Sequence, residues 1–388
     1  MKRMQSARRR VLALLLAGAL TVSFTGCAKL VKDLADSVHS AMSEPEQEIM
    51  DPTWISTGYA YDQLTAEEQL LYRQAADAIE KHQTELLETP LTDEDQVWHV
   101  LNCIEVDHPE YFWWENYDTL YTVTENNVPT GTEIELDFLY DEAETAARQA
   151  QIDARVTEWL AGVDASWADY DKVKAVYDAV VLNTEYVDES PDNQNICSVF
   201  LNGQSVCAGY AKATQYLLQK LDIPAAYLWG DATKDGERDS HAWNLVQLDG
   251  VYYYLDPTWG DPEYSEEDAP SLAGTVCYDY FCVTSEELFR THENQTELTL
   301  PECTSEAHNY YVRSGLRLDS YDPASIASIV DAAYYAGQPQ AEMQFRYEED
   351  YWTAQENLED VLYQCSFDWE DIGYTGDDDM RTLLVIFQ

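Results

Sequence analysis

The 388-residue chain is 45% hydrophobic, so it can bury a large core and is long enough for two or three folded units. Its 73 acidic and 22 basic side chains give a formal net charge of −51, with the acids scattered along the whole chain. Such a field favours solubility and disfavours nucleic acid and anionic lipid as direct partners. We interpret the charge as a solvated acidic surface.

The first 26 residues have the layout of a secretory signal peptide. Five basic residues among the first ten precede an apolar run from Val11 to Leu20, which is too short to span a bilayer comfortably. The run leads to FTGC at Cys27, which resembles the lipobox of bacterial lipoproteins with Phe24 in place of the usual leucine. That resemblance implies lipidation at Cys27 and a location on the extracellular face of the bacterial cell membrane. An ordinary cleaved signal peptide and a secreted protein are the alternative. Residues 27–54 read as a polar tether, and the lipid is the only membrane contact that we expect.

Residues 55–165 are predicted to form an N-terminal α+β region. The spacing of apolar residues predicts helices over Ala66–Leu87, Asp93–Val106 and Glu142–Leu160. A half-buried strand is predicted where Ile134, Leu136 and Phe138 alternate with acidic residues. The first helix has an apolar stripe of Leu70, Leu71, Ala75, Ala78 and Ile79.

A further helix over Tyr170–Leu182 leads to the stretch GQSVCAGYAKATQYLL, in which Cys207 lies in the first turn of a predicted helix. Apolar and small residues follow Cys207 at helical spacing, and Pro224 stops the run. Unpaired backbone N–H groups and the positive end of the dipole favour an anion there, and a cysteine attacks carbonyls as its thiolate. Gly203 and Ser205 suit a tight turn and a side-chain N-cap before the helix.

A hairpin is predicted to bring His241 and Asp256 together. The dipeptide Asp249-Gly250 is a strong signal for a two-residue turn between two apolar, aromatic runs. With that turn, Trp243 lies opposite Asp256, and His241 is the diagonal neighbour of Asp256 on the same face, about 7–8 Å away between α-carbons. The carboxylate can then hold one imidazole tautomer while the other ring nitrogen faces the cysteine. A slip of one residue would put the two side chains on opposite faces.

These residues resemble the transglutaminase-like superfamily. The segment from about Asn183 to Tyr311 carries four matching pieces in order: NQNICSVFLNGQSVCAGYAKA, SHAWN, YYLDPTWGDP and YDYFCVTSEELFRTH. The resemblance implies a papain-like α+β core, which we assign to residues 166–310, with Cys207 as nucleophile, His241 as base and Asp256 as orienter. It implies a thioester formed from a peptide or protein amide, which water hydrolyses or an amine captures.

Several interpretations stay open. Gln194 and Gln204 are both candidate oxyanion donors beside the Cys207 backbone N–H, and spacing does not choose between them. The four aromatic residues Trp243, Tyr252, Tyr254 and Trp259 could line a substrate groove or be ordinary strand packing. A catalytically silent surface module that binds peptide or cell-wall ligands is the alternative to an enzyme.

Cofactors, metals and further partners are not indicated. Six other cysteines could form disulfides in an exported protein, although their spacing gives no connectivity. No Cys/His cluster has zinc-site spacing, and the acidic loop predicted over Asp231–Asp239 lacks the pattern of an EF-hand. We predict no cofactor, no required metal, a monomer, and a peptide, protein or cell-wall peptide as substrate. The six cysteines other than Cys27 and Cys207 are Cys103, Cys197, Cys277, Cys282, Cys303 and Cys365.

Residues 311–388 are predicted to be a small α+β appendage without recognisable chemistry. Periodicity predicts a helix over Ala324–Ala336, a strand over Ala341–Tyr347, a helix over Asn357–Gln364 and a terminal strand over Thr382–Phe387.

Overall fold

The computed structural model describes residues 58–116, 118–234, 236–261, 274–367 and 372–387. The chain divides into residues 1–48 and 49–388, and all described residues belong to the second unit. The predicted signal peptide, the lipidation site Cys27 and the tether lie outside the described residues. Within the described residues, no helix is both long and apolar enough to cross a bilayer.

The N-terminal part pairs two helices with a small antiparallel sheet. Helix α1 (Ala66–Glu80) packs on α2 (Glu94–Asp107), and the sheet has the order β1 (Leu87–Thr89), β3 (Val128–Glu135) and β2 (Thr119–Glu125). A capping box between Thr65 and Glu68 fixes the start of α1. The predicted extension of α1 to Leu87 is wrong, because Leu87 pairs with Ile134 in the sheet.

The first predicted apolar stripe is buried except for Leu70, which is 45% exposed. The helix predicted over Glu142–Leu160 is present with those limits as α3, and α4 spans Asp169–Asn183. The core then follows as β4 (Glu185–Tyr186), a π-helical turn (Ser198–Asn202), β5 (Gln204–Ser205) and α5 (Cys207–Lys220).

Helix α5 packs on a five-stranded antiparallel sheet. The strand order is β10 (His292–Asn294), β6 (Ala225–Lys234), β7 (Glu237–Leu248), β8 (Val251–Leu255) and β9 (Phe281–Val283). The short helix α6 (Ser285–Leu288) lies between β9 and β10. Large fully buried aromatic residues of this sheet, Trp243, Tyr252, Tyr253, Tyr254 and Phe281, fill the core between sheet and helices.

The acidic segment Asp231–Asp239 is not the loop that was predicted. Strand β6 continues to Lys234 and β7 begins at Glu237, so the segment forms the tip of a hairpin. Its charges are paired across strands, because the Arg238 guanidinium contacts both Asp231 and Glu293 at 2.6 Å. The acidic composition of this segment therefore did not indicate that its residues belong to two paired strands.

The C-terminal residues have a separate apolar cluster. After α7 (Tyr310–Ser314), a sheet of order β11 (Arg317–Leu318), β12 (Gln340–Phe345), β14 (Thr382–Phe387) and β13 (Ile372–Asp377) packs with α8 (Pro323–Tyr335), α9 (Glu348–Glu356) and α10 (Leu358–Leu362). The terminal strand is confirmed at its predicted limits, while α9 and β13 were not predicted. The described chain is α+β throughout, and its seven described cysteines are all unpaired thiols.

Candidate active site

Cys207 is the first residue of α5, as predicted. Gly203 takes the predicted turn conformation with φ +67°, in the left-handed region that favours glycine. The predicted side-chain cap is wrong: Val206 occupies the N-cap, and the Ser205 hydroxyl instead lies 2.6 Å from that of Ser198. Because no described side chain caps α5, the first turn keeps backbone donors for an anion.

The hairpin register places His241 beside Asp256. The ladder runs from the Leu248–Val251 pair to the Asn244–Leu255 pair, so Asp256 follows directly after β8. His241 Nε2 lies 2.7 Å from Asp256 Oδ2, and an interaction with the Cys207 side chain also raises the pKa of this imidazole. The Asp256 bond occupies Nε2, which leaves Nδ1 for the thiol.

Asp256 is fully buried and accepts hydrogen bonds on both oxygens. The backbone N–H groups of Thr258 and Trp259 donate to Oδ1 at 2.9 and 3.2 Å. Burial alone would raise the pKa of Asp256, but its interactions with His241 and with a second histidine, His292, hold it well below its usual range. Burial alone would lower the pKa of His241, but the Asp256 carboxylate raises it to about 10. Buried and facing each other, the two groups form an ion pair at neutral pH.

A second histidine, which sequence reasoning missed, shares the same carboxylate. His292 Nε2 lies 3.2 Å from Asp256 Oδ2, and the His292 side chain has no exposed surface. His292 ends the quoted run YDYFCVTSEELFRTH, but its strand β10 is only three residues long and pairs with β6 from sixty residues earlier. The local sequence offers no periodicity from which that pairing could be read.

His241, Asp256 and His292 are also a group of described residues whose donor atoms lie within 4.8 Å of one another. The Nε2 atoms of His241 and His292 already lie at hydrogen-bond distances from the Asp256 carboxylate. Binding a cation would break those hydrogen bonds. We assign no metal to the group.

The geometry agrees with the comparison to known families. Residues 157–257, which include Cys207, His241 and Asp256, match the model of the transglutaminase-like superfamily. This segment is a transglutaminase-like domain.

Solved structures similar to the chain share low sequence identity with it. A TGase crystal structure is 16% identical with a TM-score of 0.27, covering 47% of this chain and 56% of that one. A candidate cysteine protease from Cytophaga hutchinsonii is 19% identical with a TM-score of 0.25, covering 36% and 62%. The periplasmic domain of TgpA from Pseudomonas aeruginosa is 19% identical with a TM-score of 0.21, covering 38% and 58%. The chain thus spans less than two thirds of each of these relatives. No curated protein sequence matches it.

A cavity of about 580 Å³ in and around the transglutaminase-like domain exposes Cys207 and His241. Its aromatic lining is Tyr111, Phe112, Trp114, Tyr186, Tyr227 and Trp229. Of the two interpretations of Trp243, Tyr252, Tyr254 and Trp259, the structure supports packing, because none of the four lines this cavity. Trp243, Tyr252 and Tyr254 are at most 1% exposed and pack in the core, while Trp259 packs against the His241 ring.

The structure separates the two glutamine candidates. Gln194 lines the cavity, and its side-chain amide donates to Asn193 Oδ1 at 3.2 Å. Gln204 donates to Glu185 Oε2 at 3.0 Å and is not among the residues that line this cavity. Of the two, only Gln194 is brought to the cavity that contains Cys207.

A charge pair at the cavity wall was also missed. Lys212, on α5, lies 2.8 Å from Glu105 on α2 and donates to the Gln194 carbonyl at 2.9 Å. Although burial raises the pKa of Glu105, the Lys212 charge outweighs this and lowers it below its usual value. The pair ties the Gln194 loop and α2 to the helix that begins at Cys207.

Proposed function

We propose that the chain is an exported cysteine enzyme that acts on peptide or protein amide bonds at the bacterial cell surface, held there by a lipid on Cys27. The observation that carries the proposal is the arrangement of Cys207, His241 and Asp256 at one wall of an open cavity. A nucleophile, a base and an orienting carboxylate within hydrogen-bond reach of one another are the elements that acyl transfer requires.

The proposed reaction has two stages. The Cys207 sulfur attacks the amide carbon, the His241 imidazolium gives its proton to the leaving amine, and the C–N bond breaks to leave a thioester. Water or a second amine then attacks the thioester, His241 accepts its proton, and the C–S bond breaks to release the thiolate. The Cys207 backbone N–H at the start of α5 and the Gln194 amide are the proposed donors to the oxyanion.

The lining of the cavity suggests the type of substrate. Its aromatic residues offer apolar surface, while Asn102, Asn116 and Asn193 offer amide groups that can pair with a peptide backbone. The opening to solvent gives water access to the thioester, and an added amine would compete with it.

The alkylation rate of Cys207 against pH tests this proposal in the purified full chain. We expect rapid labelling well below pH 8 that collapses in His241→Gln and persists in the control His308→Gln, because His308 pairs with Asp249 instead. An alkylation rate that follows an ordinary thiol titration near pH 8.5 and is unchanged in His241→Gln would favour the catalytically silent binding module instead.

Two mass measurements test the rest of the proposal. Product masses with and without an added primary amine separate hydrolysis from transamidation. A native N-terminus that carries no acyl mass at Cys27 would contradict the lipid anchor.

A further inference from the structure

The second histidine on Asp256 is built into the sheet. The His292 ring lies 4.9 Å from the ring of Trp243 and 4.6 Å from that of Trp259, between centroids. Strand β10 approaches β6 so closely that a Cβ at Gly230 would lie 1.9 Å from the Glu293 carbonyl oxygen. The glycine at that position therefore allows β10, which carries His292, to pair with one edge of β6, while the other edge of β6 pairs with β7, which carries His241.

The hydrogen bonds around His292 are compatible with a neutral ring. An ionised Asp256 only accepts, so the Nε2 atom of His292 must carry the proton that it donates to Oδ2. On the other side of the ring, Nδ1 lies 2.8 Å from the Thr291 hydroxyl, which lies 3.1 Å from the Tyr280 hydroxyl. When the Tyr280 hydroxyl donates to Thr291, and the Thr291 hydroxyl donates to Nδ1 and not to the Leu288 carbonyl 3.2 Å away, Nδ1 carries no proton and His292 is neutral. Burial favours the same state, since it lowers the pKa of His292.

The two imidazoles thus bond to the same carboxylate oxygen, Asp256 Oδ2, in different charge states. His241 shares its Nε2 proton with Oδ2 as a cation, while His292 donates to that atom as a neutral group. Each additional donor reduces the proton affinity of the oxygen that accepts it. An Asp256 bonded to His241 alone at Oδ2 would hold the His241 proton more strongly.

We infer that His292 is a positioning residue which, by donating to Asp256 Oδ2, limits the hold of that carboxylate on the His241 proton and so allows His241 to exchange protons with the leaving amine and the incoming water. This inference rests on the proposed function. Other titratable groups facing the two rings are Cys207 from α5 and the Tyr280 phenol ahead of β9, while the Lys234 ammonium lies over the Trp259 ring.

Two substitutions in the full chain separate donation from packing. His292→Phe keeps an aromatic ring but removes the donor, and His292→Gln supplies an amide N–H near the Nε2 position. The high-pH limb of the Cys207 alkylation profile reports loss of the His241 proton. We expect that limb to move up by about one pH unit in His292→Phe, a tenfold change in proton affinity, and to return towards its original position in His292→Gln.

The outcomes distinguish this inference from the proposed function. An intact wild-type profile together with an unshifted limb in folded His292→Phe would overturn the role of His292 and leave the Cys207–His241 pair in place. An ordinary thiol titration in the wild type would overturn both. Should His292→Phe fail to fold, the ring-nitrogen NMR shifts of ¹⁵N-histidine wild-type protein decide. A neutral His292 protonated on Nε2 from pH 5 to 8 supports the inference, and titration near pH 6.5 contradicts it.

Discussion

The charge state of His241 follows from Asp256 above all, with a smaller contribution from Cys207. With its pKa raised to about 10, His241 is an imidazolium at neutral pH, and the ion pair with Asp256 contributes to stability over a wide range. For a histidine with a raised pKa, that contribution is fully present below about pH 6.5 and is lost as the pH rises through about 10. On the acid side, the stability contributed by the lowered pKa of Asp256 is fully present above about pH 3.8 and is lost as the pH falls from there through the lowered pKa.

Asp256→Asn is expected to lower turnover of an acyl donor by about three to four decades, because the amide neither stabilises the imidazolium nor fixes its tautomer. The rate of thioester formation, measured by rapid quench, checks this expectation. Asp249→Asn is the matched control, because Asp249 is largely exposed and contacts His308 rather than His241. Equal rates in Asp256→Asn and wild type would remove Asp256 from the mechanism.

The sequence predicted the residues of the site that lie in long, regular elements. Cys207 was identified at the start of a helix with clear apolar periodicity, and Asp249-Gly250 set the register that brings His241 to Asp256. The sequence did not indicate roles for His292 and Lys212. Their partners, Asp256 and Glu105, lie 36 and 107 residues away in the chain. Pairings over such separations depend on how elements pack, which local periodicity does not encode.

At the scale of elements, regular spacing was a better guide than composition. Helix α3 and strand β14 are present at their predicted limits. The acidic composition at the ends of β6 and β7 favours a loop, yet these residues form strands whose charges pair across an exposed hairpin end.

The Lys212–Glu105 ion pair connects α5 to α2. Lys212 is 11% exposed and Glu105 28%, so Lys212→Met leaves a carboxylate with poor access to water. We expect this substitution to lower the free energy of unfolding by about 2–3 kcal/mol, measured by urea denaturation. The control Lys81→Met removes the exposed pair with Asp77 and should cost about 0.3 kcal/mol. Similar losses in the two variants would contradict a stabilising role for the Lys212–Glu105 pair.

The close approach of β6 and β10 makes a second prediction at this scale. Gly230→Ala places a methyl group against backbone, so we expect a loss of about 1–3 kcal/mol in unfolding free energy. Gly162→Ala is the control, because its Cβ would meet no atom within 4 Å. Equal stability of the two variants in urea would show that β10 can shift without cost.

Across the whole molecule, several buried carboxyl groups resist ionisation. Burial raises the pKa of Asp118 and Glu342 to about 7 and that of Asp107 and Asp377 to about 6. Their unfolded forms ionise near pH 4, so the native state binds more protons between about pH 4 and 7. Stability therefore falls as the pH rises through that range, and repulsion within a chain of net charge −51 adds to the fall.

We expect the melting temperature to be higher at pH 5.5 than at pH 8, and added salt to raise it at pH 8. Glu342→Gln should reduce the pH dependence, because its amide oxygen can still accept from the Tyr310 hydroxyl without a charge. Glu349→Gln, an exposed control, should leave the dependence unchanged. A melting temperature that rises from pH 5.5 to 8 would contradict this account.

The thiol inventory of the described chain has a practical consequence. Burial raises the pKa of six described thiols, those of Cys103, Cys197, Cys277, Cys282, Cys303 and Cys365, which makes them poor nucleophiles at neutral pH. Cys207 faces the cavity, so a thiol-reactive fluorophore should attach there in preference to those six. A dye at that position would change its emission when a ligand fills the cavity, and candidate peptides could be screened by fluorescence before any turnover assay exists.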